Sequence, residues 1–200
     1  MFRIIALAAA LATTAVPARA AIVSADFSAL FDLPSRASGP RILAAGGRTV
    51  AHGPELTVAD ETQNPSGWLG LATVDINPAG LIVLRGDLGE GAGDYDLISV
   101  TIGAIRFASK LRIAGVVETM SNLLDPDWTV VQPLVSFTDD SVTITYDATG
   151  FGSVADLQIS DGGFSKFQLL LEPAAVPLPA GLPLLLLGLG GLAALRRRRI

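Results

Sequence analysis

The stretch 85–96, RGDLGEGAGDYD, holds the densest set of ligand-type side chains in the sequence. Four carboxylates, Asp87, Glu90, Asp94 and Asp96, stand among Gly86, Gly89, Gly91 and Gly93. Hard oxygen ligands on a loosened loop are what a calcium ion requires, so these four are the calcium candidates. Their spacing matches neither the EF-hand loop nor the glycine-rich nonapeptide repeat, and a solvated acidic loop between strands is the competing reading. Asp125, Asp127, Asp139 and Asp140 are further carboxylates. A glycosidase needs two such groups a defined distance apart across a cleft, whereas aspartates in turns are ordinary. Trp68, Trp128, Tyr95 and Tyr146 offer rings that either stack on sugars or pack a core. His52 is the single histidine and there is no cysteine. The context AHGPEL shows no nucleophile for it, and a multi-histidine or thiolate metal site cannot be assembled within one chain. The sequence therefore assigns no catalytic residue and no cofactor.

A second chemistry, proteolytic processing, is written at the two ends. MFRIIALAAALATTAVPARA has Arg3, an apolar stretch from Ile4 to Val16, and Ala18-Arg19-Ala20. This is the order of a secretory signal with its small-x-small cleavage site, and it puts the mature terminus at Ala21. An uncleaved anchor is the alternative, although the apolar stretch is short for a membrane span. At the other end stands VPLPAGLPLLLLGLGGLAALRRRR, residues 176–199. Every residue from Val176 to Leu195 is apolar, proline or glycine, which makes the run a candidate span. Arg196, Arg197, Arg198 and Arg199 would remain cytoplasmic by the positive-inside rule, giving an amino terminus outside and a carboxy terminus inside. Pro177, Pro179 and Pro183 oppose helix in front of them. A helix opening at Pro183 is permitted, but 184–195 then covers about 18 Å of a hydrocarbon core about 30 Å thick. Gly188, Gly190 and Gly191 weaken that helix further. A short helix behind an extended, proline-marked segment suits presentation to a membrane enzyme better than permanent anchoring.

Val176-Pro177-Leu178-Pro179-Ala180, a leucine-rich helix and closing arginines together resemble the VPLPA-CTERM sorting signal, a variant of the PEP-CTERM tails of Gram-negative bacteria. The resemblance covers roughly the last 25 residues and matches the motif at all five positions. It implies recognition by an exosortase, a membrane-embedded cysteine protease or transpeptidase. It also implies removal of the tail, delivery to the cell surface or extracellular matrix, and an association with exopolysaccharide. A sortase signal would need a threonine that Leu178-Pro179-Ala180-Gly181 lacks. A GPI signal does not call for four terminal arginines. A plain single-span anchor is the remaining alternative.

The elements that would carry these groups lie between the two ends. All 19 acidic residues fall within Asp26–Glu172, while two of the 14 basic residues are in the leader and four in the tail. Eight cations against nineteen anions leave the exported part at a formal −11. Such a charge opposes nucleic acid and anionic lipid as partners. A stretch of about 150 residues is one ordinary domain, able to bury its own core without disulfides.

Residues 21–47 are rich in Ala, Ser, Gly and Pro, with a short strand expected near Ile22–Phe27. Leu56 to Val58 alternates. LATVDINPAGLIVLRGD reads as a hairpin turning at Asn77-Pro78-Ala79-Gly80. Leu97, Ser99, Thr101 and Gly103 oppose Ile98, Val100 and Ile102. LVSFTDDSVTITYDA is a second hairpin turning at Asp139-Asp140, and SVADLQIS and FSKFQLLLEP are two closing strands. Residues 105–119 have mixed spacing that admits a helical turn. Period-two alternation with frequent turn signals predicts an all-β antiparallel sandwich.

The expected organisation is a signal peptide helix over 1–20, a β-sandwich ectodomain over 21–172, and a sorting signal with one transmembrane helix over 173–200. The middle is loosely similar to the β-rich ectodomains usual in PEP-CTERM proteins. The expected function is that of an exported, non-enzymatic surface or matrix protein. Signal peptidase and exosortase would be its processing partners, with the inner membrane as an intermediate station. The alternative is a secreted carbohydrate- or calcium-binding module or, further off, a glycan hydrolase.

Overall fold

The computed structural model describes residues 21–32, 41–50, 53–63, 73–86, 95–127, 130–151, 157–160 and 162–174. Among them run ten strands: Ile22–Asp32 (β1), Arg41–Thr49 (β2), Glu61–Gln63 (β3), Thr73–Ile76 (β4), Leu81–Arg85 (β5), Leu97–Phe107 (β6), Leu111–Ser121 (β7), Leu134–Phe137 (β8), Val142–Asp147 (β9) and Phe164–Pro173 (β10). Alternation sets which side of each strand is dry. Ile98, Val100 and Ile102 of β6 are buried while Leu97, Ser99 and Thr101 are half-buried. Val142, Ile144 and Tyr146 of β9 and Ser165, Phe167 and Leu169 of β10 follow the same period.

Every strand pair is antiparallel, and the strands form two sheets. One runs β3-β2-β1-β6-β9-β8 and the other β4-β5-β10-β7. Their dry faces meet in one cluster that includes Phe31, Val100 and Ile144 from the larger sheet and Ile82, Leu84 and Phe167 from the smaller. The expected all-β, two-sheet sandwich arrangement is what forms. Each such side chain contributes about 1.5–3 kcal/mol by leaving water.

The two expected hairpins are present. Asn77 opens the β4–β5 turn, its Oδ1 accepting from the amides of Ala79 (3.0 Å) and Leu81 (2.9 Å). Gly80 closes it at φ 83°, where a side chain would be strained. Thr138 N donates to Ser141 O (2.9 Å) across the β8–β9 turn.

Three local expectations are corrected. The first concerns residues 21–47, which hold two long strands rather than one short one. Ala25 and Ala29 of β1 and Ala45 of β2 are buried there, between the larger inward side chains Ile22, Phe27 and Phe31. The register between β1 and β2 shifts between Ala25 and Phe27. Opposite the shift, Gly47 takes φ 62° and donates its amide to Asp26 Oδ1.

The second concerns 105–119, which is strand on both sides of a bend at 108–110. The three-residue spacing from Ile102 to Ile105 comes with irregular pairing to β1 and with Ala104 at φ 48°. That from Ile113 to Val116 comes from an extra residue, Ala114, opposite β10. Bulges, not a helical turn, produce the helix-like period. The third concerns Leu56, which makes one bridge to Val74 and is followed by a 3-10 turn, Val58–Asp60. Likewise SVADLQIS contributes only the bridges of Leu157 and Ile159 within its described part.

Strand direction gives the sandwich two distinct ends. At one, Ala108 N donates to Ala21 O (2.8 Å) and Ala174 N donates to Lys110 O (2.9 Å). The described chain thus starts and stops at the same bend. At the other end lie Asp32, Asp96, Asp147 and the stretch 122–127.

Candidate functional site

Of the calcium candidates, only Asp96 lies among the described residues; Asp87, Glu90 and Asp94 fall outside them. Asp96 opens β6, its amide donating to Asp32 O (3.0 Å) and its carbonyl accepting from Ala148 N (2.8 Å). The points where 87–94 leaves and rejoins the fold are both tied down. Gly86 N donates to Gly163 O (2.8 Å), and Tyr95 exchanges two backbone bonds with Leu157 (3.0 and 2.7 Å). Among the described residues no group of three or more His, Asp or Glu side chains gathers as a metal site would require.

The aspartate pairs considered for glycoside cleavage do not converge. Asp125 Oδ1 accepts from the Asp127 amide (3.0 Å) in a turn beyond the end of β7. Asp139 sits beside the start of the same strand, where its carbonyl accepts from Ile113 N (2.9 Å) and its carboxylate lies 3.8 Å from Arg112. From residue 113 to residue 121 the strand alone spans about 25 Å, whereas two carboxylates acting on one glycosidic bond stand about 5–10 Å apart. These aspartates are turn residues.

Both tyrosines belong to the core. Tyr95 packs on Phe31 with ring centroids 5.2 Å apart, and Tyr146 is 1% exposed. Neither ring is available to a sugar. Trp68, Trp128 and His52 lie outside the described residues, as do Ala18, Ala20 and residues 176–199 of the sorting motif, apolar run and arginines. Ala21 is described, its carbonyl held by Ala108. No helix among the described residues is long and apolar enough to cross a membrane.

Two arrangements were not anticipated from sequence. The first is a polar line through the core. Tyr146 Oη donates to Ser165 Oγ (2.9 Å), bonding one sheet to the other, and Ser165 Oγ lies 3.2 Å from Ser121 Oγ. Burial pushes the Tyr146 phenol up to about 12, with the Glu118 charge adding to the rise and the serine hydroxyls opposing it. The TITY alternation places Tyr146 inward, but only the pairing of β10 with β7 reveals its serine partners.

The second is a depression of about 500 Å³ on the outer face of the smaller sheet, lined by Pro54, Thr73, Asp75, Leu81, Val83, Arg85 and Lys166. Lys166 Nζ stands 4.8 Å from the centroid of the Phe164 ring. Strand alternation put these residues on one face, but the order β4-β5-β10 that brings Lys166 beside Val83 is not written in the sequence. The depression joins hydroxyl, carboxylate, aliphatic and cationic groups, which suits hydrogen bonding to a polar ligand and supplies no nucleophile paired with a base. No protein-family model, no curated protein and no solved structure matches this chain.

Proposed function

We propose that this chain is an exported, non-enzymatic surface or matrix protein whose two-sheet ectodomain is delivered by its C-terminal sorting signal. Signal peptidase removes 1–20 after Ala20, and the tail helix holds the precursor in the inner membrane with Arg196–Arg199 inside. An exosortase-type enzyme then acts at the stretch Val176–Ala180. The observation that carries the reading is the five-residue motif followed by an apolar run and four arginines. The fold supports it, because the described core is complete between Ile22 and Leu169 and the last strand ends at Pro173, three residues before the motif. The test is the mass of the mature protein from its native cells, with and without residues 176–200. A wild-type product ending between 176 and 180, and loss of surface delivery on deletion, are expected. A membrane-bound product that retains its arginines would make the stretch an ordinary anchor.

One observation favours a second reading, a carbohydrate-binding module. The depression beside Thr73, Asp75, Arg85 and Lys166 offers several donors and acceptors on one sheet face. A glycan array with the ectodomain, repeated with Arg85→Ala, tests it. No signal above background removes that reading and leaves the first untouched.

A further inference from the structure

We infer that the end of the sandwich formed by Ala21, the 108–110 bend and Ala174 faces the bilayer while the precursor is membrane-held. The acidic end, with Asp32, Asp96, Asp125, Asp127 and Asp147, is then the outward pole. This rests on the reading of the tail as a membrane-crossing segment; the geometry of the ends does not.

The first argument is connectivity. Ala21 and Ala174 are both hydrogen-bonded to the 108–110 bend, so the segments before and after the domain leave from one place. From Ala174 to Pro183 the chain has nine residues, which reach at most about 32 Å fully extended. A helix over 184–195 covers about 18 Å of a core about 30 Å thick, so about 12 Å of that reach is spent inside the hydrocarbon. The near end therefore sits within about 20 Å of the hydrocarbon boundary. β1 has 11 residues, which puts the far end about 35 Å further out.

The second argument is charge. Around the near end Arg48, Arg106, Lys110 and Arg112 stand with Asp26, Asp60, Asp139, Asp140 and Glu172, a nearly balanced set. The far end carries its five described aspartates beside Arg85 and Lys166. The segment 87–94, with Asp87, Glu90 and Asp94, leaves from Gly86 and returns to Tyr95 at that same end. Turning the domain over would put the acidic end, rather than the nearly balanced one, within a Debye length of about 8–10 Å of the bilayer. In the inferred orientation those charges are several Debye lengths away.

The same geometry gives both hydrophobic ends one exit, so the ectodomain can close while signal and tail are still in the membrane. It also leaves the outward pole, not the near end, free to meet other matrix components.

The chain has no cysteine, so single-cysteine variants label cleanly. Lys110→Cys and Gly150→Cys are both at exposed positions, and a Cβ at Gly150 meets nothing within 4 Å. Each full-length, uncleaved chain is labelled with an environment-sensitive fluorophore. It is then reconstituted into vesicles of zwitterionic and anionic phospholipid carrying a nitroxide-headgroup lipid. Quenching at position 110 at least twofold greater than at 150 is expected. Equal or reversed quenching, in protein that floats with the vesicles, overturns the orientation while upholding the membrane-held tail. Protein that does not float overturns the tail reading and the orientation with it. Ala108→Cys and Asp127→Cys form a second pair should either first variant misfold.

Discussion

Tyr146→Phe should change the alkaline stability of this domain in a way that isolates one hydroxyl. Burial between the sheets, reinforced by the Glu118 charge, raises the phenol from 10.0 to about 12. In the unfolded chain it ionises at the ordinary value, so above pH 10 the unfolded state holds fewer protons than the native one. Stability then falls as pH rises, and stops falling once the native phenol also ionises. Integrated over the window, the loss is about 1.3 kcal/mol between pH 9 and pH 11 and approaches about 2.7 kcal/mol above pH 12. Phenylalanine removes this term. At pH 7 the variant should be less stable by about 0.5–1.5 kcal/mol, since Ser165 Oγ loses its bond from Tyr146 and retains its approach to Ser121. The assay is urea unfolding of residues 21–174, wild type and variant, in steps from pH 7 to pH 12. The two curves should converge by about 1.3 kcal/mol from pH 9 to pH 11. Parallel curves would show that the phenol is not held neutral between the sheets. There are only two tyrosines, so tyrosinate absorbance gives an independent reading of the same event.

Three other outcomes follow from the packing. Gly163→Ala brings a Cβ to 2.6 Å from Asn122 O and 2.7 Å from Ser160 Cβ. It should cost about 2–3 kcal/mol, whereas Gly150→Ala, in open space, should be near neutral by thermal unfolding. The Thr149 hydroxyl and amide hold the Asp147 carboxyl below its ordinary 3.8. Their contribution is present above that value and lost as pH falls through the native one, so Asp147→Asn should flatten the acid limb of the stability profile. Glu118→Val removes an inward-turned carboxylate, whose Oε1 is buried without a hydrogen-bond partner, from the edge strand β7. Because inward charge and bulges deter edge pairing, the variant should gain about 1 kcal/mol as a monomer. It should also associate at concentrations where wild type stays monomeric by light scattering.

Hairpins and inward faces were legible because they are local. NPAG and TDDS carry their turn chemistry in four residues, and β9 and residues 97–102 of β6 alternate inward and outward side chains without interruption. The second half of β1 and all of β2 were not legible because their evidence is tertiary. IVSADFSALFD buries alanines that only a strand flanked on both sides would bury, and RILAAGGRT has little intrinsic strand preference. The bulges at Gly103-Ala104 and Ala114 also disguised strand as helix by shifting the period from two to three. No site could be read from spacing alone. The carboxylate pairs Asp125/Asp127 and Asp139/Asp140 occupy opposite ends of β7, and the residues that do meet, Tyr146, Ser165 and Ser121, are joined only by sheet order.

If the chain is exported as proposed, that sheet order would tie folding to export. In the smaller sheet β5 and β7 each pair with β10 and not with each other. Without β10 the sheet is one hairpin, β4–β5, and one unpaired strand. The core residues Phe167 and Leu169 come from this last strand, so part of the interface between the sheets waits for it. Ala174 and Ala175 alone separate β10 from the proposed sorting motif. Under the proposed export, amino terminus first, the chain could not close its core until the translocation machinery had released residues up to about Pro173, when the proposed tail would be arriving in the membrane. The larger sheet has no such delay, since β9, its last strand, ends at Asp147. The larger sheet should thus be free to form first, and the smaller one should complete against it while the chain is still held at Ala174. The early sheet's exposed dry face is the hazard in this order, and the short link between β10 and the tail keeps the missing strand close to it.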